Sequence, residues 1–397
     1  MKKINALCLT IILISAWQFL SAQPYQIGKT STTYIDTSRN NRNIDVDIYY
    51  PADIGGTNVP LATGVAKFPV LAFGHGFVMV WSAYQNVWSA IVPEGYVMIF
   101  PKTENGFSPS HTEFAKDIAF CIGRLQLENT STQSTFYQRL DSTSAAMGHS
   151  MGGGSSLLAM QYNSNITAVC NLAAAETNPS AVTACGAIAK PALLLSGGND
   201  CITPPPAHQD LMYNALISSC KTILSINGAS HCQFADYNFN CSFGELTCTP
   251  QPAISRSEQH SIMNQYMIPW LNYILKNDCS AGNLFQQMID TASALTHNTN
   301  CSFCPTSIEN QNQASNNFVE IFVDENKNIS LSNKRNIEVE LEIKIFNTNG
   351  NLVHSQEASM RRGEILSLLN NWNNGTYIVM VNDQKGRGRF SKIVILQ

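Results

Sequence analysis

The stretch Ala145-Ala146-Met147-Gly148-His149-Ser150-Met151-Gly152-Gly153-Gly154 constrains this chain more than any other. A serine with glycine two residues before and two after, behind a small apolar run and ahead of a helix-like segment from Ser155 to Tyr162, reads as a strand-to-helix elbow. A serine at the tip of such a turn sits in strained backbone, and its glycine neighbours must be nearly free of side chain for the chain to fold back. The following helix aims its first amides and positive dipole end at the serine, where negative charge develops in acyl transfer. A bare G-x-S-x-G also occurs as an ordinary glycine-rich turn, so the rest of the chain has to supply the partners.

Along the chain, Thr33 to Asp36 and Ile44 to Tyr50 alternate around a polar turn and predict an antiparallel hairpin that Pro51 stops. Phe68 to Phe73 is a continuous apolar run ending in Gly74-His75-Gly76-Phe77, as expected of a strand buried on both faces. Strands and helices then alternate: helices over Trp81 to Val92, His111 to Leu127, Ser155 to Tyr162, Ala207 to Ile217 and Arg256 to Leu275; strands over Tyr96 to Phe100, Ser144 to Met147, Ile166 to Leu172, Ala192 to Leu195 and Thr222 to Ile226. This rhythm predicts an α/β fold with an open, mostly parallel, doubly wound sheet. From Val319 onward, seven short alternating segments separated by turn signals at Thr348-Asn349-Gly350, Asn373-Asn374-Gly375 and Asp383 to Gly386 predict a small all-β sandwich. The expected organisation is a signal peptide over 1–22, a catalytic domain over 23–303, a linker over 304–317 and a C-terminal domain over 318–397.

In a doubly wound sheet, sites gather at the C-terminal ends of strands. Two loops there carry partners for Ser150. Leu193 to Asp200 puts an aspartate after a buried strand, and Ser225 to His231 puts a histidine after another. The order Ser150, Asp200, His231 is that of α/β-hydrolases. His231 is the expected general base and Asp200 the group that orients its ring. The N–H groups of Met151 and Phe77 are the expected oxyanion donors. Taken singly, each has a plainer explanation: Asp200 before Thr203-Pro204 as a capping residue, His231 as a loop histidine. His208, His260, His75 and His149 are rival bases, and Asp236 is the rival acid. The conjunction of residue types, order and strand ends favours the triad.

Residues 146–154 resemble the elbow of the cutinase and polyester hydrolase group, close to the dienelactone hydrolases, within the α/β-hydrolase superfamily. Gly76-Phe77, the segment from Pro191 to Pro204, Ile226 to His231 and Pro269-Trp270-Leu271 extend the likeness over about Asn43 to Asp278. The resemblance implies a shallow site hydrolysing esters, including polymeric ones, without a cofactor, with Phe77 and Met151 contacting substrate. Where that group usually has a tryptophan, this chain reads Ala173-Ala174-Ala175-Glu176-Thr177, so an aromatic clamp is absent or comes from elsewhere, with Trp81 and Phe107 as candidates. The alternatives are a dienelactone-hydrolase-like or lipase-like esterase on small esters, a peptidase or thioesterase on the same triad, and a non-catalytic surface-displayed binding protein. Glu342 to Val353, Leu369 to Val381 and the last strand resemble the sorting domain of the type IX secretion system, which implies export to the surface or medium; an Ig-like spacer is the alternative.

Charge and cysteines agree with an exported hydrolase. Net charge of -4 over 397 residues gives no sign of a nucleic-acid partner. Lys2-Lys3, the apolar run Ala6 to Leu20 and Ser21-Ala22 predict a signal peptide cut after Ala22, and no later run is long enough to span a membrane. A monomer is expected. Twelve cysteines in an exported chain imply disulfides; without Cys8 an odd number remains, so at least one is free or paired between chains. Cys301-x-x-Cys304 lacks the second pair of a zinc site, and no metal is expected. Cys201 follows the acid and Cys232 follows the base. A bridge between them would tie the catalytic loops together, and pairing of each with nearer Cys220 or Cys241 is the preferred alternative.

Overall fold

The computed structural model describes residues 25–304 and, beyond them, 319–396 apart from 325–327, 335–336, 348–350, 369–374 and 384–388. The expected signal peptide and positions 305–317 of the expected linker lie outside the described residues. The chain divides into two compact units, Met1–Cys304 and Pro305–Gln397.

The first unit is built on one sheet of ten strands: β1 Gln26–Asp36, β2 Arg42–Ala52, β3 Gly56–Thr57, β4 Phe68–Gly74, β5 Val97–Pro101, β6 Leu140–His149, β7 Ala168–Leu172, β8 Ala192–Gly197, β9 Lys221–Ile226 and β10 Leu295–Asn300. Their order is β10-β9-β8-β7-β6-β4-β5-β2-β1-β3. From β5 to β9 every neighbouring pair is parallel, while β2 on β5 and β10 on β9 run antiparallel. The expected mostly parallel doubly wound sheet is therefore the observed one. Pro51 does not end its strand. β5 pairs only with Val46 to Tyr49, so the missing N–H of Pro51 falls where β2 has lost that neighbour.

Among the described residues eight α-helices accompany the strands: α1 Gln85–Ile91, α2 His111–Glu128, α3 Met151–Ala159, α4 Ala181–Cys185, α5 Gln209–Ala215, α6 Phe239–Glu245, α7 Arg256–Lys276 and α8 Cys279–Asp290. Period-2 alternation in β4 feeds both faces of the sheet. Leu71 and Phe73 join one core with Phe100, Met147, Met267 and Trp270; Val70 and Ala72 join the other with Ile99, Phe114, Ile118 and Leu158. Helix starts carry the expected caps: Ser110 accepts the N–H of Glu113 at 3.2 Å and Ser255 that of Glu258 at 3.2 Å. α3 begins at Met151, four residues before the helix read from the sequence. All nine of its residues are buried, and burial outweighs the poor helix propensity of Gly152-Gly153-Gly154. α4, α6, α8 and β10 have no counterpart in the sequence reading; α8 and β10 lie in the polar, cysteine-bearing region after Asp278.

Disulfides join Cys201 to Cys248, Cys220 to Cys301, Cys232 to Cys241 and Cys279 to Cys304, while Cys121, Cys170 and Cys185 are buried free thiols. Cys201 and Cys232 do not pair with each other. Cys232 takes the nearer Cys241, but Cys201 takes Cys248 rather than Cys220, a correction to the sequence-based expectation. Linear nearness misled there because Cys220, just ahead of β9, faces the segment that leaves β10.

The second unit is a sandwich of two antiparallel sheets. One has β11 Val319–Val323, β12 Ile329–Asn333 and β15 Ile365–Leu368; the other has β13 Val339–Asn347, β14 Leu352–Met360, β16 Gly375–Asp383 and β17 Arg389–Leu396. Alternate residues Ile321, Leu331, Leu341, Ile343, Ile345, Val379 and Val381 close a common core.

Candidate active site

Five neighbouring parallel strands, β4 and β6 to β9, end on the same rim, and the loops leaving β4, β6, β8 and β9 hold the expected site residues. Ser150 follows β6 directly and has φ 55° and ψ -120°, left-handed backbone that a side chain adopts only under constraint. Gly148 and Gly152 supply the close approach the turn needs. A Cβ on Gly152 would run into the carbonyl of Gly74, and one on Gly148 into that of Gly152. The carbonyl of Ser150 accepts from Ala175 N at 2.9 Å and Gly154 N at 3.1 Å, which fixes the turn from both sides.

The structure brings Ser150, His231 and Asp200 into one hydrogen-bonded line. Ser150 Oγ lies 2.9 Å from His231 Nε2, and His231 Nδ1 lies 2.8 Å from Asp200 Oδ2. A carboxylate only accepts, so Nδ1 carries the proton and Nε2 presents its lone pair to the serine hydroxyl. All three side chains are buried. Burial alone would raise the Asp200 carboxyl; the His231 ring, its hydrogen bond and the donors of Thr203 outweigh that and hold it below the usual carboxylate value. Thr203 N donates at 2.8 Å to Oδ1 and the Thr203 hydroxyl at 2.8 Å to Oδ2; Ile202 N also donates to Oδ1, at 2.9 Å.

The loop that carries His231 is clamped on both sides. Gln259 of α7 donates to Ser230 O at 2.9 Å and accepts from Ser230 N at 3.0 Å, while Arg256 donates to Cys232 O at 2.6 Å. A second, buried chain links this loop to the one after β4. Gly76 N donates to Tyr84 Oη at 2.8 Å, Tyr84 donates to His149 Nδ1 at 3.0 Å, and His149 Nε2 donates to His231 O at 3.1 Å. Its polarity is forced: a carbonyl only accepts, so the proton of neutral His149 sits on Nε2. Burial, and then the neighbouring His231, hold His149 far below its ordinary pKa. Thr203, Gln259, Arg256 and Tyr84 had no motif to mark them in the sequence; only their placement gives them a part.

Phe77 is half-exposed in the loop after β4, and Met151 begins α3. Among the described residues, the N–H groups of both are free of protein acceptors. Trp81 gives its indole N–H to Asp47 at 2.9 Å and lies under Lys102, so its ring is committed to that ion cluster. Phe107 is 88% exposed, on the segment between β5 and α2. The rival histidines have other partners. His75 lies between the carbonyls of Gly76 and Thr103, His208 accepts from Glu176 N, and His260 faces Ala235 O. Asp236, the rival acid, accepts from Asn86 N at 3.0 Å.

A family model described as PET hydrolase-like matches residues 20–302, and one described as secretion system C-terminal sorting domain matches residues 323–396. Cutinase 1 of Thermobifida cellulosilytica is 30% identical over 147 residues, 36% of this chain and 46% of that protein. Cutinase est1 of Thermobifida alba is 33% identical over 186 residues, 46% of this chain and 56% of that protein. The chain thus spans about half the length of the curated relatives it matches.

Proposed function

We propose, for a chain that belongs to the PET hydrolase-like family, that it is a secreted serine carboxylester hydrolase working through an acyl-enzyme, with Ser150 as nucleophile, His231 as general base and Asp200 as the residue that orients and stabilises the ring. The observation that carries this is the 2.9 Å and 2.8 Å line from Ser150 through His231 to Asp200, with the serine held at φ 55°. The C-terminal sorting domain matched over residues 323–396 puts the protein in the medium or at the cell surface.

The proposed cycle passes two protons through His231, one from the serine to the leaving alkoxide and one from water back to the serine. His231 Nε2 takes the Ser150 proton as Oγ attacks the acyl carbon, and the imidazolium is stabilised by Asp200, which stays ionised. The N–H groups of Met151 and Phe77 meet the tetrahedral oxyanion. His231 then gives its proton to the leaving alkoxide, so the alcohol departs and the acyl group stays on Oγ. Water, activated by the same nitrogen, releases the acid and restores the serine. No step calls for a cofactor. Likeness to cutinases and to the PET hydrolase-like family model supports including polymeric esters in the proposed substrate class.

The test is Ser150→Ala assayed on a chromogenic short-chain ester and with a fluorophosphonate probe. Turnover should fall about a millionfold, toward background, and labelling should vanish. Retention of either would remove Ser150 from the role.

A further inference from the structure

Of the five strands β4 and β6 to β9, β7 alone is followed by a loop with no group that the proposed cycle uses. That loop begins under strain: Ala173, directly after β7, has φ 44°, left-handed backbone that residues other than glycine seldom adopt. Its N–H donates to Leu195 O at 2.7 Å, and two residues on, Ala175 N donates to Ser150 O at 2.9 Å. The loop after β7 therefore reaches the turn that holds the nucleophile. What ties it to the acid and the base is one hydroxyl, that of Thr203.

Thr203 Oγ1 lies 2.8 Å from Asp200 Oδ2, 3.0 Å from His231 Nδ1 and 3.1 Å from Ala173 O. Donor and acceptor chemistry assigns each contact. Nδ1 carries the ring proton and only donates, so the hydroxyl oxygen accepts there; a carboxylate and a carbonyl only accept, so the hydroxyl's single proton goes to Oδ2 or to Ala173 O. The Nδ1 proton thus has two acceptors, Oδ2 at 2.8 Å and the Thr203 oxygen at 3.0 Å. Thr203, Asp200, His231 and Ala173 are all buried, where such bonds are stronger than at a wet surface.

A plainer role, closing the turn after β8, does not call for the hydroxyl. Asp200 Oδ1 accepts from Ile202 N at 2.9 Å and from Thr203 N at 2.8 Å, main-chain bonds that any residue but proline at 203 would leave in place. We propose that Thr203 is a positioning residue for the triad: its hydroxyl shares the Nδ1 proton of His231 with Asp200 and ties the loops after β7, β8 and β9 to one another. The inference rests on the ester-hydrolase reading and adds to it a fourth side chain on which the orientation of the base depends. Without the hydroxyl, Oδ2 loses a donor, the Nδ1 proton turns wholly to the carboxylate, and the loop that holds Ala175 against Ser150 O loses its tie to the acid. Thr203 is only 3% exposed and offers substrate no surface, so its loss should slow the chemical step and spare binding.

The experiment compares, in the full chain, Thr203→Val, which keeps the shape and removes the hydroxyl, with Thr203→Ser, which keeps the hydroxyl and removes the methyl; Thr203→Ala takes the place of the first if the valine variant does not fold. On a soluble acetate ester, kcat should fall about tenfold in Thr203→Val with KM within about twofold, and Thr203→Ser should recover most of the rate. A second readout is magnetic resonance of protein carrying isotope-labelled histidine. The proton on His231 Nδ1, assigned by its loss in His231→Gln, should move downfield in Thr203→Val, because its bond to the carboxylate is no longer shared, and should keep its place in Thr203→Ser. An unchanged kcat in Thr203→Val overturns the proposal, as does an equal fall in the valine and serine variants, which would assign the effect to the methyl. A loss carried by KM, or an Nδ1 proton that does not move, overturns it likewise. Absence of any ester hydrolysis by the unaltered chain would instead overturn the hydrolase reading, and the Nδ1 proton in the same variants would still decide whether the hydroxyl shares it.

Discussion

Tyr84 has no polar group at the reaction centre, yet it carries the link between the loop after β4 and the base loop. Tyr84→Phe removes the acceptor of Gly76 N and the donor to His149 Nδ1 together. Leaving a buried N–H without a partner costs about 1–3 kcal/mol. The expected outcome is a Tm lower by several degrees and kcat on a soluble ester down about tenfold with little change in KM, because positioning is disturbed more than binding. His149 itself predicts a pH effect on stability. In the unfolded chain its ring titrates near 6.5, whereas in the folded protein burial and His231 keep it neutral well below that. As pH falls through about 6.5 the unfolded state gains a proton the folded state refuses, so stability present at neutral pH is progressively lost toward acid, by up to about 1.4 kcal/mol per pH unit for this group. His75, also lowered by burial, adds in the same direction. Melting curves from pH 7.5 to 5 should show a falling Tm, and His149→Gln, which keeps a donor and an acceptor but cannot titrate, should fall less steeply. A slope identical to that of the unaltered protein would rule the ring out as its source.

At the scale of elements, α2 is held to the β1–β2 hairpin by charge as well as by its apolar face. Asp117 on α2 is fully buried and accepts from Arg39 at 2.6 Å and Arg42 at 2.7 Å, with the Thr103 hydroxyl at 2.6 Å. Asp117→Ala leaves two guanidinium groups without that carboxylate, which for a partly buried cluster costs about 3–5 kcal/mol; denaturant titration should show the midpoint drop with the m-value unchanged. Long elements were legible before the fold was known: α2 and α7 carry cap residues and sustained periodicity, and β4 through β9 are short apolar runs between turn formers. α3 was legible only in part, since Gly152-Gly153-Gly154 argues against helix unless something outside the segment buries it. β10 was not legible, because an edge strand reading Leu295-Thr296-His297-Asn298-Thr299-Asn300 has one apolar residue and is made a strand by pairing with β9.

The whole molecule is two units, each with its own core, and among the described residues the four disulfides lie in the first. A chain ending at Cys304 should therefore hydrolyse a soluble ester at the rate of the full chain, whereas export from a host with the matching secretion apparatus should be lost; a large fall in the truncated chain's kcat would show that the second unit contributes to the site. The sequence by itself determined the alternation of apolar runs with turn residues, and with it the mostly parallel sheet and the seven-strand sandwich, since these are local patterns that repeat. It also set Ser150, Asp200 and His231 after three of the strands, β6, β8 and β9, because strand order and loop chemistry are written along the chain. Only the tertiary structure decided that Cys201 reaches Cys248, that Thr203, Gln259, Arg256 and Tyr84 brace the loops holding Ser150, His231 and Asp200, and that the segment from Tyr237 to Leu246 is fastened beside them. Those are contacts between residues tens of positions apart, and no local pattern reports which distant atoms the packed sheet will bring within bonding distance.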